Sequence, residues 1–416
     1  MTYAMANLWF FVCLPAAILW IALLLLPWRP WSTRERLEAD SYTPPADLRD
    51  LTVLIPARNE AAGIGVTLSA LYQQDPAIKV VLIDDRSADG TAEVARARGA
   101  PNVQVIEGTP LPSGWTGKLR ALAQGMRRVD TEYVVLLDAD IELEEGILAR
   151  MLELARTRDL QLVSLMAAPS LSGFWEKLLM PAFVYFFKLL YPFHLANSSS
   201  RWVAAAAGGC VLAETEVLRD IGGFESLKGE LIDDCALAAR VKGAGHRTWI
   251  GLSHSVTSHR RYQTLRPVWD MVARTAFTQL RYSPALLVGC VLTMLVAFWL
   301  PVAGLLAPAP SAQIVAVVAL LAMTLSYLPT LLYYRLSPAW ALLLPLVGTL
   351  YLAMTVDSAR RYYRGVRSEW RGRVYATPSD AAAFRGSTPL VPAEIHVVSE
   401  PDPDPEASSS VRERGP

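Results

Sequence analysis

The chain holds little cysteine. Cys13, Cys210, Cys235 and Cys290 are the four in 416 residues, and no two form a CxxC pair. That spacing indicates neither a disulfide framework nor a cysteine zinc site, and unpaired thiols in a reducing compartment account for all four. Histidine is also sparse, with five residues, and those other than His259 make no metal-ligand spacing. An excess of either charge is missing too: Lys and Arg number 39, as do Asp and Glu. No global field recruits nucleic acid, so any electrostatic work must be local. Apolar residues, by contrast, make up 52% of the chain, which is high for a purely soluble enzyme and implies a membrane portion.

The run Leu8 to Pro27 carries no charge and, at about 1.5 Å per residue, is long enough to cross a hydrocarbon core of about 30 Å. It reads as a retained anchor rather than a cleaved signal, because no Lys or Arg precedes it and no small-x-small site stands before Arg29. Arg29, Arg34 and Arg36 follow at once, which places the next segment in the cytoplasm and the amino terminus outside. Three further apolar runs lie at Ala285 to Leu306, Gln313 to Tyr334 and Ala339 to Val356. They pose a parity problem: the arginines after the last run (Arg360, Arg361, Arg364, Arg367, Arg371 and Arg373) should be cytoplasmic, but three crossings would end outside. The last run is the shortest and contains Pro345, so a re-entrant or interfacial course is open for it.

Between these membrane segments, from Leu51 to about Tyr282, short β-rich runs (LTVLIPA, VVLIDD, VQVIEG, YVVLLDAD) alternate with charged helical stretches. This is the signature of an α/β domain with a parallel sheet, and in such sheets ligands bind beyond the carboxyl ends of the strands. Within it, Ser172 to Asn197 is apolar and aromatic but broken by Glu176, Lys177, Pro181 and Lys188. It reads as an interfacial helix with Trp175, Phe183, Phe186 and Phe187 towards lipid; a buried core helix is the alternative.

Three acidic motifs follow in order. Asp84 and Asp85 end a strand before a Ser87-Ala88-Asp89-Gly90-Thr91 turn into a helix; capping explains Ser87 and Asp89 but not two adjacent acids at a strand end. Asp138-Ala139-Asp140 ends the next buried strand, and alternation aims both aspartates to one side, where they can address a hard divalent cation, Mg²⁺ or Mn²⁺, that bridges diphosphate oxygens. Asp233 and Asp234 open a helical pattern. In isolation they read as dipole-complementing acids, but in company with the other two motifs Asp234 is the candidate general base. Lys118, in GWTGK, could reach a phosphate. His259, Arg260 and Arg261, followed by Arg266, offer a diphosphate clamp or a patch for anionic headgroups.

These residues together resemble the inverting family 2 glycosyltransferases of GT-A fold. The matching features are Pro56, Arg58, Asn59 and Glu60, the IDD strand end, GWTGK, DAD, the turns at Gly208-Gly209 and Gly222-Gly223, and the Asp233-Asp234 pair. The flanking membrane runs look most like the hopene-associated branch, with ceramide and carotenoid-type glycosyltransferases as cousins. The resemblance implies a GT-A nucleotide-sugar domain at 51–283, with the interfacial helix at 172–197. Around it lie a transmembrane helix at 1–28, a linker at 29–50, membrane helices at 284–357, a basic segment at 358–376 and a disordered tail at 377–416. It also implies a nucleotide-sugar donor, a UDP-sugar above all, bound through Pro56, Arg58, Glu60, Asp85, Lys118, Asp138, Arg260 and Arg261. The metal would be held by Asp138, Asp140 and His259, the base would be Asp234, and the acceptor would be a hopanoid-like lipid at the cytoplasmic face of a bacterial inner membrane. Two departures stand out. Asp233 takes the place of the usual glutamate, and Gln263-Thr264-Leu265-Arg266 is followed by Pro267 instead of the tryptophan of processive synthases. The second favours transfer of one sugar over polymerisation. A transferase for polyprenyl phosphate or polysaccharide is the alternative enzyme, and a silent membrane scaffold the alternative outside enzymes.

Overall fold

The computed structural model describes residues 3–40, 47–98, 102–370 and 373–376. Arg371 and the tail expected to be disordered, 377–416, lie outside the described residues. Eight strands form one sheet: β1 (Leu51–Ala57), β2 (Lys79–Asp84), β3 (Val103–Glu107), β4 (Tyr133–Leu137), β5 (Ile141–Leu143), β6 (Leu162–Ala168), β7 (Cys210–Glu214) and β8 (Thr248–Ser258). Their order is β3-β2-β1-β4-β7-β6-β8-β5.

Strands β1 to β4 pair in parallel, as the alternation of apolar and helical segments required. The sheet as a whole is nevertheless mixed, because β7 runs antiparallel to β4 and β6, and β5 antiparallel to β8. The chain leaves the carboxyl end of β6, makes the long excursion 169–209 and re-enters the sheet from that same end, so β7 must run backwards. This reversal sets Cys210 opposite Leu137 and so brings Gly208-Gly209 to the carboxyl end of β4.

Strands β1 and β4 are buried along their whole length, and their residues alternate between two cores. Val53, Ile55, Val135 and Leu137 pack on one face with Ile64, Leu68, Ile147 and Met151. Leu54, Ile83, Val134 and Leu136 pack on the other with Leu119, Leu122, Leu237 and Val241. Each such side chain contributes roughly 1.5–3 kcal/mol on burial, which fixes the strand ends that carry the acidic motifs.

Two segments are tied more closely into the fold than their composition suggested. The segment expected as a linker is docked: Leu37 donates to the Leu252 carbonyl at 3.0 Å, Leu252 to that of Glu35 at 2.9 Å, and Glu38 accepts the His254 and Ser255 amides. The segment Ser172 to Asn197 holds a helix, Phe174–Leu190, and the aromatics assigned to lipid are partly buried instead. Trp175, Phe183 and Phe186 pack on the cluster formed with the apolar helices, and Phe187 on a neighbouring one. The charges that break its apolar run are internal ties. Glu176 accepts from the amides of Gly173 (2.8 Å) and Tyr262 (2.7 Å), and Lys188 donates to the Ser32 carbonyl (3.1 Å) and Thr330 (3.0 Å). Burial alone would raise the Glu176 carboxyl, but these amides and Ser172 hold it below the usual carboxylate range. Glu176 and Lys188 are buried, as charges can be where hydrogen bonds satisfy them.

Among the described residues, four helices are long and apolar enough to cross a membrane: Leu8–Leu25, Pro284–Leu305, Pro310–Tyr333 and Pro338–Tyr363. Several of their ends meet the sheet domain or the helices attached to it. The Tyr333 carbonyl lies 3.1 Å from Nε2 of His254 on β8, and the ring of Trp340 lies 5.7 Å from that of Phe174. Tyr282 stacks on Tyr362 at 4.5 Å, and Arg361 donates to Asp270 at 2.7 Å.

Candidate active site

The carboxyl end of β4, the amino end of β7 and the start of the helix Asp233–Gly243 converge on a cleft of about 620 Å³. Asp138, Asp140, Lys118, Gly208, Asp233 and Asp234 all line it. Lys118, on the first turn of the helix Gly117–Met126, sets its Nζ 2.7 Å from Asp138 and 3.3 Å from the Gly208 carbonyl. Burial would lower this ammonium, but Asp138, Asp233 and Asp234 outweigh it and hold the group above its usual value.

Asp234 is fixed by two backbone donors, the amide of Gly208 at 2.8 Å and that of Cys235 at 2.8 Å. Its carboxyl is nonetheless pushed up to about 6, by burial first and repulsion from Asp233 second, against the opposing pull of Lys118 and the two amides. A carboxylate with a raised proton affinity, facing a cleft, is suited to take a proton from a hydroxyl. Gly208 makes this packing possible: a Cβ there would stand 3.1 Å from Lys118 Nζ and 3.2 Å from Asp234 Oδ2.

Arg260 brackets the second metal-motif acid, with Nε 3.0 Å from Asp140 and Nη2 3.5 Å from Glu60. Burial works against the Arg260 charge, but Asp140 and Asp138 keep it above its usual value. Arg261 and Pro56 also line the cleft. His259 is not in that lining: its amide donates to the Asp140 carbonyl at 2.8 Å, while its ring turns to Glu142, 3.4 Å away.

Asp85 and Arg58 lie beside the cleft and not on its lining. Asp85 is buried, and Arg58 donates to its carbonyl at 2.7 Å. The loop around them is cross-tied: Asn59 accepts the Ala88 amide at 2.9 Å, Asp89 accepts that of Ala61 at 3.0 Å, and Thr91 that of Glu60 at 2.9 Å. Ser87 bonds Asp84 through both its amide and its hydroxyl. Thus Asp84 serves the turn, Asp85 is the second acid at that strand end, and Asp89 links two loops as well as capping the Thr91 amide.

Glu230, Asp270, Arg274 and Arg361 also line the cleft, and sequence reasoning assigned none of them there. Asp270 and Arg274 belong to the helix Leu265–Ala273 and its C-cap, whose apolar face, Val268 and Val272, packs on the membrane-helix cluster; that amphipathic pattern was the available signal. Arg361 was counted only as a juxtamembrane charge.

The divalent metal that the resemblance implies fits these residues. Two carboxylates face the cleft, each balanced here by a protein cation, Lys118 or Arg260. Among the described residues no group of three or more His, Cys, Asp or Glu side chains could hold an ion. Such a donor set suits a cation that takes one or two carboxylates and completes its shell with phosphate oxygens and water.

Residues 48–278 match the model of the family described as glycosyltransferase like family 2, and since that is more than half of the chain, the chain belongs to this family. A segment of 91 residues is 41% identical to the 4,4'-diaponeurosporenoate glycosyltransferase of Staphylococcus aureus (strain USA300), covering 22% of this chain and 24% of that protein. The chain therefore spans about a quarter of the length of the curated relatives it matches. The structure is similar to the mannosyltransferase PcManGT from Pyrobaculum calidifontis, solved in complex with GDP-Man and Mn²⁺. The TM-score is 0.51 at 20% identity, over 85% of this chain and 98% of that one, a likeness that shows the GT-A fold.

Proposed function

We propose that the protein is a membrane-bound inverting glycosyltransferase that moves one sugar from a UDP-sugar to a hopanoid-like lipid, at the cytoplasmic face of a bacterial inner membrane. The observation that carries this reading is Asp234: a carboxylate of raised pKa, held by the Gly208 and Cys235 amides, in the same cleft as the Asp138–Lys118 and Asp140–Arg260 pairs. Asp234 takes the proton of the acceptor hydroxyl as it attacks the anomeric carbon from the face opposite the departing diphosphate. Lys118, Arg260 and Arg261 neutralise that diphosphate, and Arg58, Glu60, Pro56 and Asp85 shape the nucleoside end. A divalent cation on Asp138 and Asp140 would supply further charge compensation for the leaving group.

A lipid acceptor is supported by the apolar helices around the sheet domain and by the partial match to the diaponeurosporenoate enzyme. Transfer of a single sugar is supported by Arg266, which is exposed and faces Asp270 (3.7 Å) instead of lining the cleft. The contacts of Tyr333, Trp340 and Arg361 support a last apolar segment that enters and leaves on the catalytic side, which removes the parity problem. The test is UDP release by detergent-purified protein, with UDP-sugars, Mg²⁺ or Mn²⁺, and a hopanoid-containing lipid extract. Lipid-stimulated release that chelator abolishes and Asp234→Asn stops, with donor binding retained, is expected. Full turnover by Asp234→Asn would refute the assignment of the base.

A further inference from the structure

Two sets of charges line the cleft. Glu60, Asp138, Asp140, Asp233 and Asp234 share it with Lys118, Arg260 and Arg261, whereas the wall formed by Asp270, Arg274 and Arg361 comes from helices packed on the membrane-helix cluster. The first set suits a metal, a diphosphate and a proton acceptor. Arg274 and Arg361 need another explanation.

That wall belongs to the membrane side of the protein. Arg274 caps the helix Leu265–Ala273, whose Val268 and Val272 are buried in the membrane-helix cluster and whose Trp269 and Met271 pack against it. Arg361 comes from the last apolar helix itself. The two helices are clasped at the cleft rim: Arg361 donates to Asp270 at 2.7 Å and to Asp357 at 2.8 Å, and Trp269 Nε1 donates to Asp357 at 2.9 Å. Asp357 and Asp270 thus compensate Arg361 and fix its position. No acid pairs with the half-buried Arg274: it stands near Tyr262, and among the described residues its side chain makes no hydrogen bond or ion pair. A guanidinium held in a cleft with its donors unused is a site for a carboxylate or phosphate.

We infer that Arg274, with Arg361 beside it, forms an anion subsite for an acidic group, phosphate or carboxylate, carried by the acceptor lipid next to its sugar-accepting oxygen. The inference rests on the reading of the cleft as one that admits a lipid acceptor, and it narrows that reading: the lipid accepted is acidic, and a neutral polyol is not. The donor diphosphate is the competing anion. Lys118, Arg260 and Arg261 serve it in the proposed reaction, which leaves Arg274, on the membrane-side wall, to a molecule that enters from the bilayer.

The test uses the full chain in detergent and reads binding by melting temperature, so it needs no turnover. Wild type and Arg274→Gln are titrated with geranylgeranyl phosphate, geranylgeranoic acid and geranylgeraniol, each with and without saturating UDP and Mg²⁺. One or both acids should stabilise the wild type in the presence of UDP, the alcohol should not, and Arg274→Gln should weaken the acid about tenfold or more, the worth of charge-assisted hydrogen bonds. A response to the phosphate alone assigns a lipid phosphate, and one to the carboxylate alone a carboxylic lipid. Equal stabilisation by the alcohol, displacement of the acid by UDP, or an unchanged affinity in Arg274→Gln overturns the subsite. The transferase reading fails separately: acid binding without sugar transfer from any donor sinks that reading and leaves the subsite, while transfer to neutral lipids alone does the reverse.

Discussion

Replacing Gly208 by alanine puts a methyl group 3.1 Å from Lys118 Nζ, 3.2 Å from Asp234 Oδ2 and 3.4 Å from Asp234 Cβ. The lysine end is flexible and can yield, but the aspartate is held by backbone amides on either side of its carboxylate. One of those amides is that of residue 208 itself, so relief of the clash has to move the base, the amide or both by a few tenths of an ångström. Overpacking of this kind costs about 1 kcal/mol, at the lower end of its usual range. Since an error of about 1 Å in a catalytic group costs about a hundredfold, the smaller shift should cost roughly three- to tenfold in kcat. The assay is UDP release at saturating donor and lipid, with a melt in parallel. Gly243→Ala is the control, because a Cβ there meets nothing within 4 Å. If Gly208→Ala keeps kcat within about twofold of wild type, well short of that loss, the glycine does not seat the base and the packing argument fails.

Three further outcomes are expected. Because burial and Asp233 push Asp234 up to about 6, kcat/KM for the donor should fall as pH drops through that value, where Asp234, the proposed base, takes up its proton; an acid limb confined to the ordinary aspartate range would contradict this. The same shift has the opposite sign for stability, since a carboxyl raised in the folded state contributes most when protonated, below its ordinary value, and the contribution is lost as pH rises through the folded value. Asp140→Asn removes the partner of Arg260 and one of two carboxylates in the metal position, so donor use should lose its sensitivity to chelator together with most of its rate; a variant still fully metal-dependent would count against the pair. Single cysteines at the exposed positions Ser311 and Ser337, placed in a chain stripped of its own thiols, should label from opposite sides of a sealed vesicle, with Ser337 on the side of the sheet domain. Labelling of both from one side would overturn the topology.

What the sequence disclosed followed from periodicity and from chemistry at strand ends. The runs LTVLIPA and YVVLL are buried throughout, so their strands were legible and so were the positions where they stop, which located Asp138, Asp140 and the Asp84-Asp85 pair. Lys118 and Asp234 could be proposed for the site because each stands beside a glycine turn or a second acid in sequence. The direction of β7 was not legible, since a strand's orientation depends on which end of the sheet the preceding excursion returns to. His259 was hard to place for a related reason: just past the end of β8 a shift of one residue changes the direction of a side chain, and neighbouring arginines gave no sign of which residues faced inward.

The membrane portion was harder to read because charge in an apolar run has two meanings. Glu176 and Lys188 looked like interruptions that push a helix to the bilayer surface, yet both are buried and hydrogen-bonded, one to Tyr262, just past Arg260 and Arg261, and the other to the segment after the first apolar helix. Arg361 looked like a topological signal, yet it reaches the cleft rim and binds Asp270. A boundary drawn at residue 283 on composition therefore separates groups that act together. Asp270 and Trp269 lie on the sheet-domain side of that line, and their partners Arg361 and Asp357 on the membrane side. The wall of the cleft is complete only when the last apolar helix is in place. Attachment to the membrane thus does more than hold the domain near its acceptor, since it supplies part of the surface that the acceptor would meet.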